Sequence, residues 1–98
     1  MKVNWLFKNV TVIDGSGGPQ FRGDVAVKGD RIVDMAPALN LPAEQVIDGQ
    51  GRVLAPGFID VHTHGAYGYD TNDGEPEGLR NWMKHIPEEG VTSILPTT

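Results

Sequence analysis

Ten residues, Pro56-Gly57-Phe58-Ile59-Asp60-Val61-His62-Thr63-His64-Gly65, constrain this chain more than any others. They read as a β-strand entered from a turn and left through a glycine-rich loop. Ile59, Val61 and Thr63 are β-branched, which suits a pleated backbone. Strand side chains alternate faces, so Asp60, His62 and His64 share one face and the more apolar odd-numbered residues share the other. Two imidazoles at i and i+2 can converge on one metal ion, and neutral imidazole is the commonest metal ligand. The plainer alternative is a pair of histidines at an exposed strand end. Asp60 reads either as the carboxylate that orients an imidazole or as a hydrogen-bonding residue at the strand start.

The residues that follow give this strand a partner. Residues 65–74 read as a loop, in which Tyr67 and Tyr69 are placed either to touch a substrate or to pack. Residues 76–86 carry Leu79, Trp82, Met83 and Ile86 at i, i+3, i+4 and i+7, a helical stripe for burial against a sheet. Pro76 suits the first helical turn, and Asp73 and Glu75 suit its positive end. Gly78 weakens the helix, and Pro87 and Gly90 end it. His85 lies one step off the stripe and reads as a surface residue or one satisfied by its neighbours. Residues 91–95 read as a second strand. Strand 58–64, helix 76–86 and strand 91–95 make one βαβ unit, with parallel strands and a right-handed crossover.

Upstream, residues 3–55 read as a small antiparallel β-domain of four or five short strands, judged by the spacing of turn signals. Lys28-Gly29-Asp30-Arg31 is a hairpin signal. Pro37 to Ala43 is a proline-bounded connection, and Gly49-Gln50-Gly51 is a further turn. Gly15, Gly17 and Gly18 hint at a phosphate cradle, but no P-loop lysine follows, so residues 14–19 read as a turn. The charged residues of this region read as solvated faces. The expected division is 1–55 for the β-domain and 56–98 for the βαβ unit.

Composition excludes several function classes. The chain of 98 residues carries 13 acidic and 8 basic residues, a net charge of −5. No basic face is available for nucleic acid or for an anionic membrane surface. There is no cysteine, hence no disulfide framework or thiolate site. The amino terminus lacks the apolar core of a secretory signal, and no run has the length of a membrane span. The expectation is a cytoplasmic protein with a small-molecule partner.

Pro56 to His64, read as P-G-F-I-D-V-H-T-H, resembles the metal-binding first strand of the amidohydrolase superfamily. Val12-Ile13-Asp14-Gly15, Gly29-Asp30-Arg31-Ile32 and Val46-Ile47-Asp48 precede it in the order found in those enzymes, D-aminoacylases included. Two further stretches, His64-Gly65-Ala66-Tyr67-Gly68-Tyr69-Asp70 and Pro87-Glu88-Glu89-Gly90-Val91-Thr92-Ser93 with Leu95-Pro96-Thr97-Thr98, are similar to the N-acetylglucosamine-6-phosphate deacetylase branch. The resemblance implies the start of a (β/α)₈ metal-dependent hydrolase barrel, incomplete here because such a barrel needs roughly 250 residues. It implies a small β-domain completed by strands from the far carboxyl end. The expectation is therefore the amino-terminal portion of a longer hydrolase, inactive alone. By the same resemblance His62 and His64 are metal ligands with Asp60 beside them, and the acid/base group lies beyond Thr98, so no catalytic residue is expected among residues 1–98. The implied cofactor is a divalent metal ion: zinc first, with iron, manganese or cobalt as alternatives. The implied reaction takes N-acetylglucosamine 6-phosphate, an amino-sugar phosphate, to glucosamine 6-phosphate and acetate, in a homodimer. The alternatives are a D-aminoacylase, a dihydroorotase-like enzyme, or a non-catalytic structural or interaction domain.

Overall fold

The structure, a computed structural model, describes residues 1–98. The chain forms two compact units, Met1–Pro56 and Gly57–Thr98.

The first unit is a sheet centred on β1 (Val3–Val12). β2 (Phe21–Lys28) lies antiparallel to β1, and β3 (Arg31–Ala36) lies antiparallel to β2. Gly29 and Asp30 form the two-residue turn between β2 and β3. On the other side of β1 run β4 (Ala43–Asp48) and β5 (Val53–Leu54), both parallel to it. The small domain is thus mixed, and the expectation of an antiparallel one is corrected. The physical reason lies in residues 37–42. Bounded by Pro37 and Pro42, they do not fold back as a hairpin but cross to the far edge of β1. Leu39 on the way is buried with Val3, Leu6 and Ala26, and the Val3 N–H donates to the Pro42 carbonyl at 3.0 Å. A crossover of this kind delivers the next strand in the parallel sense. Turn spacing reports how many strands there are, but not their directions.

β1 is interrupted by a bulge, with its register to β2 broken between Phe7 and Val10 and Asn9 at φ 57°. A bulge inserts an unpaired residue and so changes which face the following side chains take. Before it, Leu6 packs with Val3, Ala26 and Leu39. After it, Val10 and Val12 pack with Val25, alongside Phe7, Phe21 and Leu54 on the opposite face. That second face also shapes a groove of about 270 Å³ bordered by Val27, Ile32, Met35 and Pro56.

The bulge is fastened by Asp24, which is 4% exposed. One carboxylate oxygen accepts the Asn9 N–H at 2.9 Å; the other accepts the Leu39 N–H and the Lys8 ammonium, each at 2.8 Å. Burial alone raises the Asp24 pKa. The Lys8 hydrogen bond, the two backbone donors and the Lys8 charge outweigh it and hold the group below the ordinary carboxylate value. The charged residues of this unit are therefore not all solvated.

In the second unit β6 (Phe58–Thr63) pairs in parallel with β9 (Val91–Pro96). Between them come β7 (Gly65–Ala66), antiparallel to β8 (Tyr69–Asp70), and the helix α1 (Pro76–His85). Residues 65–74, expected as a loop, thus contain a small hairpin and a 3₁₀ turn, Thr71–Asp73. Tyr67 and Gly68 sit at φ 55° and 78°, and two successive left-handed residues match the right-handed twist of the flanking strands. α1 begins as its sequence suggests. Pro76 occupies the first turn, and the Glu75 carboxylate accepts the N–H groups of Glu77 and Gly78. Of the apolar stripe, Trp82 and Ile86 are buried, while Leu79 remains 39% exposed. A left-handed Gly90 ends the 3₁₀ turn Ile86–Glu89 and starts β9. One parallel strand pair with one helix is present, and no barrel closes within these residues. No helix is long and apolar enough to cross a membrane.

Candidate metal centre

Asp60 and His62 lie in β6, and His64 is the first residue beyond it. Pairing with β9 is regular at Ile59 and Asp60, is disturbed after Asp60, and resumes at Thr63. The irregularity leaves the His62 N–H to the Asp60 carboxylate, which accepts it at 3.2 Å. Asp60 holds the backbone of His62, and no hydrogen bond joins it to either imidazole.

The two imidazoles face each other edge-on, with ring centres 5.1 Å apart and planes at 82°. Both residues are exposed. Two imidazole nitrogens each ~2 Å from one ion in tetrahedral geometry put their ring centres roughly 5 Å apart. The observed ring-centre spacing matches that distance. No group of three or more His, Asp or Glu side chains converges here at metal-binding geometry. Two neutral imidazoles are donors for zinc, iron, manganese or cobalt, and do not choose among them.

The β7–β8 hairpin brings groups to His64 that the sequence did not single out. The His64 carbonyl accepts the Thr71 N–H at 2.7 Å and the Thr71 hydroxyl at 2.8 Å. Gly65, at φ 142°, has no room for a side chain, since a Cβ there would run into the Tyr69 carbonyl. The signal available in the sequence was Asp70-Thr71-Asn72-Asp73, a capping pattern. The Asp70 carboxylate accepts the Asn72 N–H at 2.8 Å, and Asp73 accepts the Asp70 N–H at 2.9 Å.

The remaining candidates sit apart in role. Tyr69 packs on Trp82, with ring centres 6.0 Å apart, and its ring closes over Gly78. Tyr67 stacks on His85 at 4.9 Å, and its hydroxyl donates to Glu89 at 3.2 Å. Partial burial, then the Glu89 hydrogen bond and the charges of Glu89 and Glu88, push the Tyr67 phenol above its ordinary value. His85 also meets Glu88 at 3.4 Å, so it is engaged locally and is not joined to His62 or His64.

A mixed sheet followed by a parallel strand pair with Asp-x-His-x-His at its end is the arrangement of a class, and comparison with known proteins supplies the class: amidohydrolase-superfamily hydrolases, in their amino-terminal region. No family model matches the chain. The N-acyl-D-aspartate deacylase of Alcaligenes xylosoxydans xylosoxydans is 48% identical over 63 residues, which is 64% of this chain and 13% of that protein. The N-acetylglucosamine-6-phosphate deacetylase of Lysinibacillus sphaericus is 37% identical over 93 residues, 95% of this chain and 24% of that protein. Among solved structures, the N-acyl-D-glutamate deacylase of Bordetella bronchiseptica, complexed with zinc and a phosphonate mimic of the tetrahedral intermediate, matches at a TM-score of 0.72. It is 31% identical, with 98% of this chain and 19% of that one covered. The chain thus spans a quarter or less of the length of these relatives. Acylases and deacetylase match comparably, so the similarity gives the class of hydrolase and singles out no substrate.

Proposed function

We propose that the chain contributes the metal-binding first strand of an amidohydrolase that cleaves the amide of an N-acylated metabolite. The observation that carries this reading is the His62–His64 pair, edge-on at 5.1 Å at the end of a parallel strand. A divalent ion bound there supplies Lewis-acid polarisation of the amide carbonyl and activation of water. His62 and His64 bind in their neutral form, each offering one ring nitrogen. Asp60 and Thr71 hold the two backbones from which those rings project. Zinc is the first choice of ion, because the zinc-bound structure described above shares this chain's fold.

For the substrate we favour N-acetylglucosamine 6-phosphate, hydrolysed to glucosamine 6-phosphate and acetate by a cytoplasmic homodimer. What supports it is a similarity to the deacetylase that runs over 95% of the chain. A second reading, an N-acyl-D-amino acid deacylase, is supported by a similarity to an N-acyl-D-glutamate deacylase at the same identity over 96% of the chain, by the higher identity of the aspartate deacylase over a shorter stretch and by the structural match. Residues 1–98 alone are inactive in either reading, since two histidines hold an ion only weakly and no group of three or more ligands converges here.

Zinc titration of the chain tests the site. His62→Ala and His64→Ala are each expected to weaken binding by at least the roughly 10–100-fold that loss of an outer partner costs, with His85→Ala near wild type. Equal weakening by all three, or by neither strand variant, overturns the ligand assignment. Acetate release from N-acetylglucosamine 6-phosphate against release of D-aspartate or D-glutamate from their N-acyl forms, by an enzyme carrying this chain, decides the substrate.

A further inference from the structure

We propose that Thr71 is the positioning residue for His64. The inference rests on the metal reading above and adds to it the group that holds one ligand in place. His64 lies beyond the last residue of β6, where the β9 ladder gives it nothing. Thr97 donates its N–H to the Thr63 carbonyl at 2.7 Å, and the ladder ends there. A strand-end residue with a free carbonyl turns about its own φ, and its side chain swings together with that carbonyl. Here both acceptor sites of the His64 carbonyl are taken by one residue, through the Thr71 N–H at 2.7 Å and the Thr71 hydroxyl at 2.8 Å.

Thr71 is itself held on both sides. It opens the 3₁₀ turn whose reciprocal cap is made by Asp70 and Asp73. The β7–β8 pairing of Gly65 with Asp70 sets the distance that it must span. The hydroxyl therefore reaches back across the hairpin to the peptide plane that follows His64. It fixes the direction of the His64 Cα–Cβ bond relative to His62 without touching the imidazole. A metal site held by two imidazoles depends on that relative direction, because a small misplacement of one nitrogen loses the ion.

The test uses the full chain with Zn²⁺ and Co²⁺ as probes, and compares wild type, Thr71→Val and Thr71→Ser. Valine keeps the shape and the N–H and loses only the hydroxyl, whereas serine restores the hydroxyl. Thr71→Val is expected to bind Zn²⁺ roughly three- to tenfold more weakly, the span set by loss of one neutral hydrogen bond. Its Co²⁺ absorption should shift, and the metal-free His64 ring should gain motion in ¹⁵N relaxation while His62 does not. Thr71→Ser is expected to return all three to wild type. Thr71→Val with wild-type affinity and wild-type His64 mobility overturns the proposal, as does a serine variant as weak as the valine one. A wild-type chain indifferent to both metals overturns the metal reading instead; His64 mobility in the metal-free variants then still decides whether Thr71 positions that residue.

Discussion

Asp24 shows how one side chain can fix three stretches of backbone. It ties together the β1 bulge at Asn9, the crossover at Leu39 and the Lys8 ammonium, from a nearly buried position. Asp24→Asn replaces one charged acceptor by an amide that clashes with at least one of three donors. A loss of about 1–3 kcal/mol is expected, read from urea unfolding. Lys8→Met should cost less, because the two backbone donors remain and Lys8 is partly solvated. The pH dependence has a definite sign. The folded pKa lies below the unfolded one, so the stabilisation is complete above the unfolded value, near 4 for an aspartate. It is lost as the pH falls through the lower, folded value. Wild-type stability should therefore decline on acidification below about pH 4, and Asp24→Asn should flatten that decline. Asp14 is held low by the Ser16 hydroxyl and N–H and has the same sign, so it leaves a residual slope in both proteins. Identical slopes in the two proteins would remove Asp24 from the acid response.

At the scale of elements, Gly78 separates what propensity says from what packing says. Propensity alone makes Gly78→Ala stabilising by up to about 1 kcal/mol in a helix interior. In the structure a Cβ at this position runs into the Tyr69 ring and comes within 2.9 Å of the Glu75 carboxylate that caps the helix. Tyr69 cannot withdraw cheaply, because it rests on Trp82. Gly78→Ala is expected to lower stability by about 1–2 kcal/mol net, the usual cost of overpacking. A raised thermal midpoint would show that the ring yields. The same contrast explains what was legible in the sequence. The β6 strand, the helix of residues 76–85 and the Gly29-Asp30 turn were legible, because each is specified by residues within a few positions of itself. The direction of β4 was not, because it depends on where Leu39 finds a buried place across the sheet. Nor was the sorting of Leu6 from Val10 and Val12 onto opposite faces. Those residues keep an even spacing through Trp-Leu-Phe-Lys-Asn-Val-Thr-Val, and the parity is broken only by a bulge that Asp24, fifteen residues on, holds open. In the candidate site the nearness of His62 and His64 was legible from their spacing. Thr71 was not, since nothing local shows that its hydroxyl reaches back to His64.

At the scale of the whole molecule the two units differ in how much apolar surface they bury within themselves. Val3, Leu6, Val10, Val12, Val25, Ala26 and Leu39 are buried in the first, against Trp82 and Ile86 in the second. In the second, Phe58, Ile59 and Val61 of β6 and Leu95 of β9 are 58–69% exposed. Parallel strands normally have both faces covered, and burial stabilises by about 25 cal/mol per Å². Local opening should therefore be easier in residues 57–98 than in residues 1–56. Amides of β6 and β9 are expected to exchange with solvent orders of magnitude faster than those of β1 and β2. Brief trypsin treatment should cut at Arg80 and Lys84 before Arg22 and Lys28. Zinc adds a second arm to the experiment. A ligand that binds only the folded form stabilises it by about 2.7 kcal/mol at a hundredfold excess over Kd. Saturating Zn²⁺ should thus slow exchange across residues 58–71 and leave β1 and β2 unchanged. Uniform exchange along the whole chain would mean that one cooperative transition governs both units, and the uneven burial would then not set their stabilities. Slowing that spreads equally into β1 and β2 would show that the ion acts on the fold at large rather than through His62 and His64.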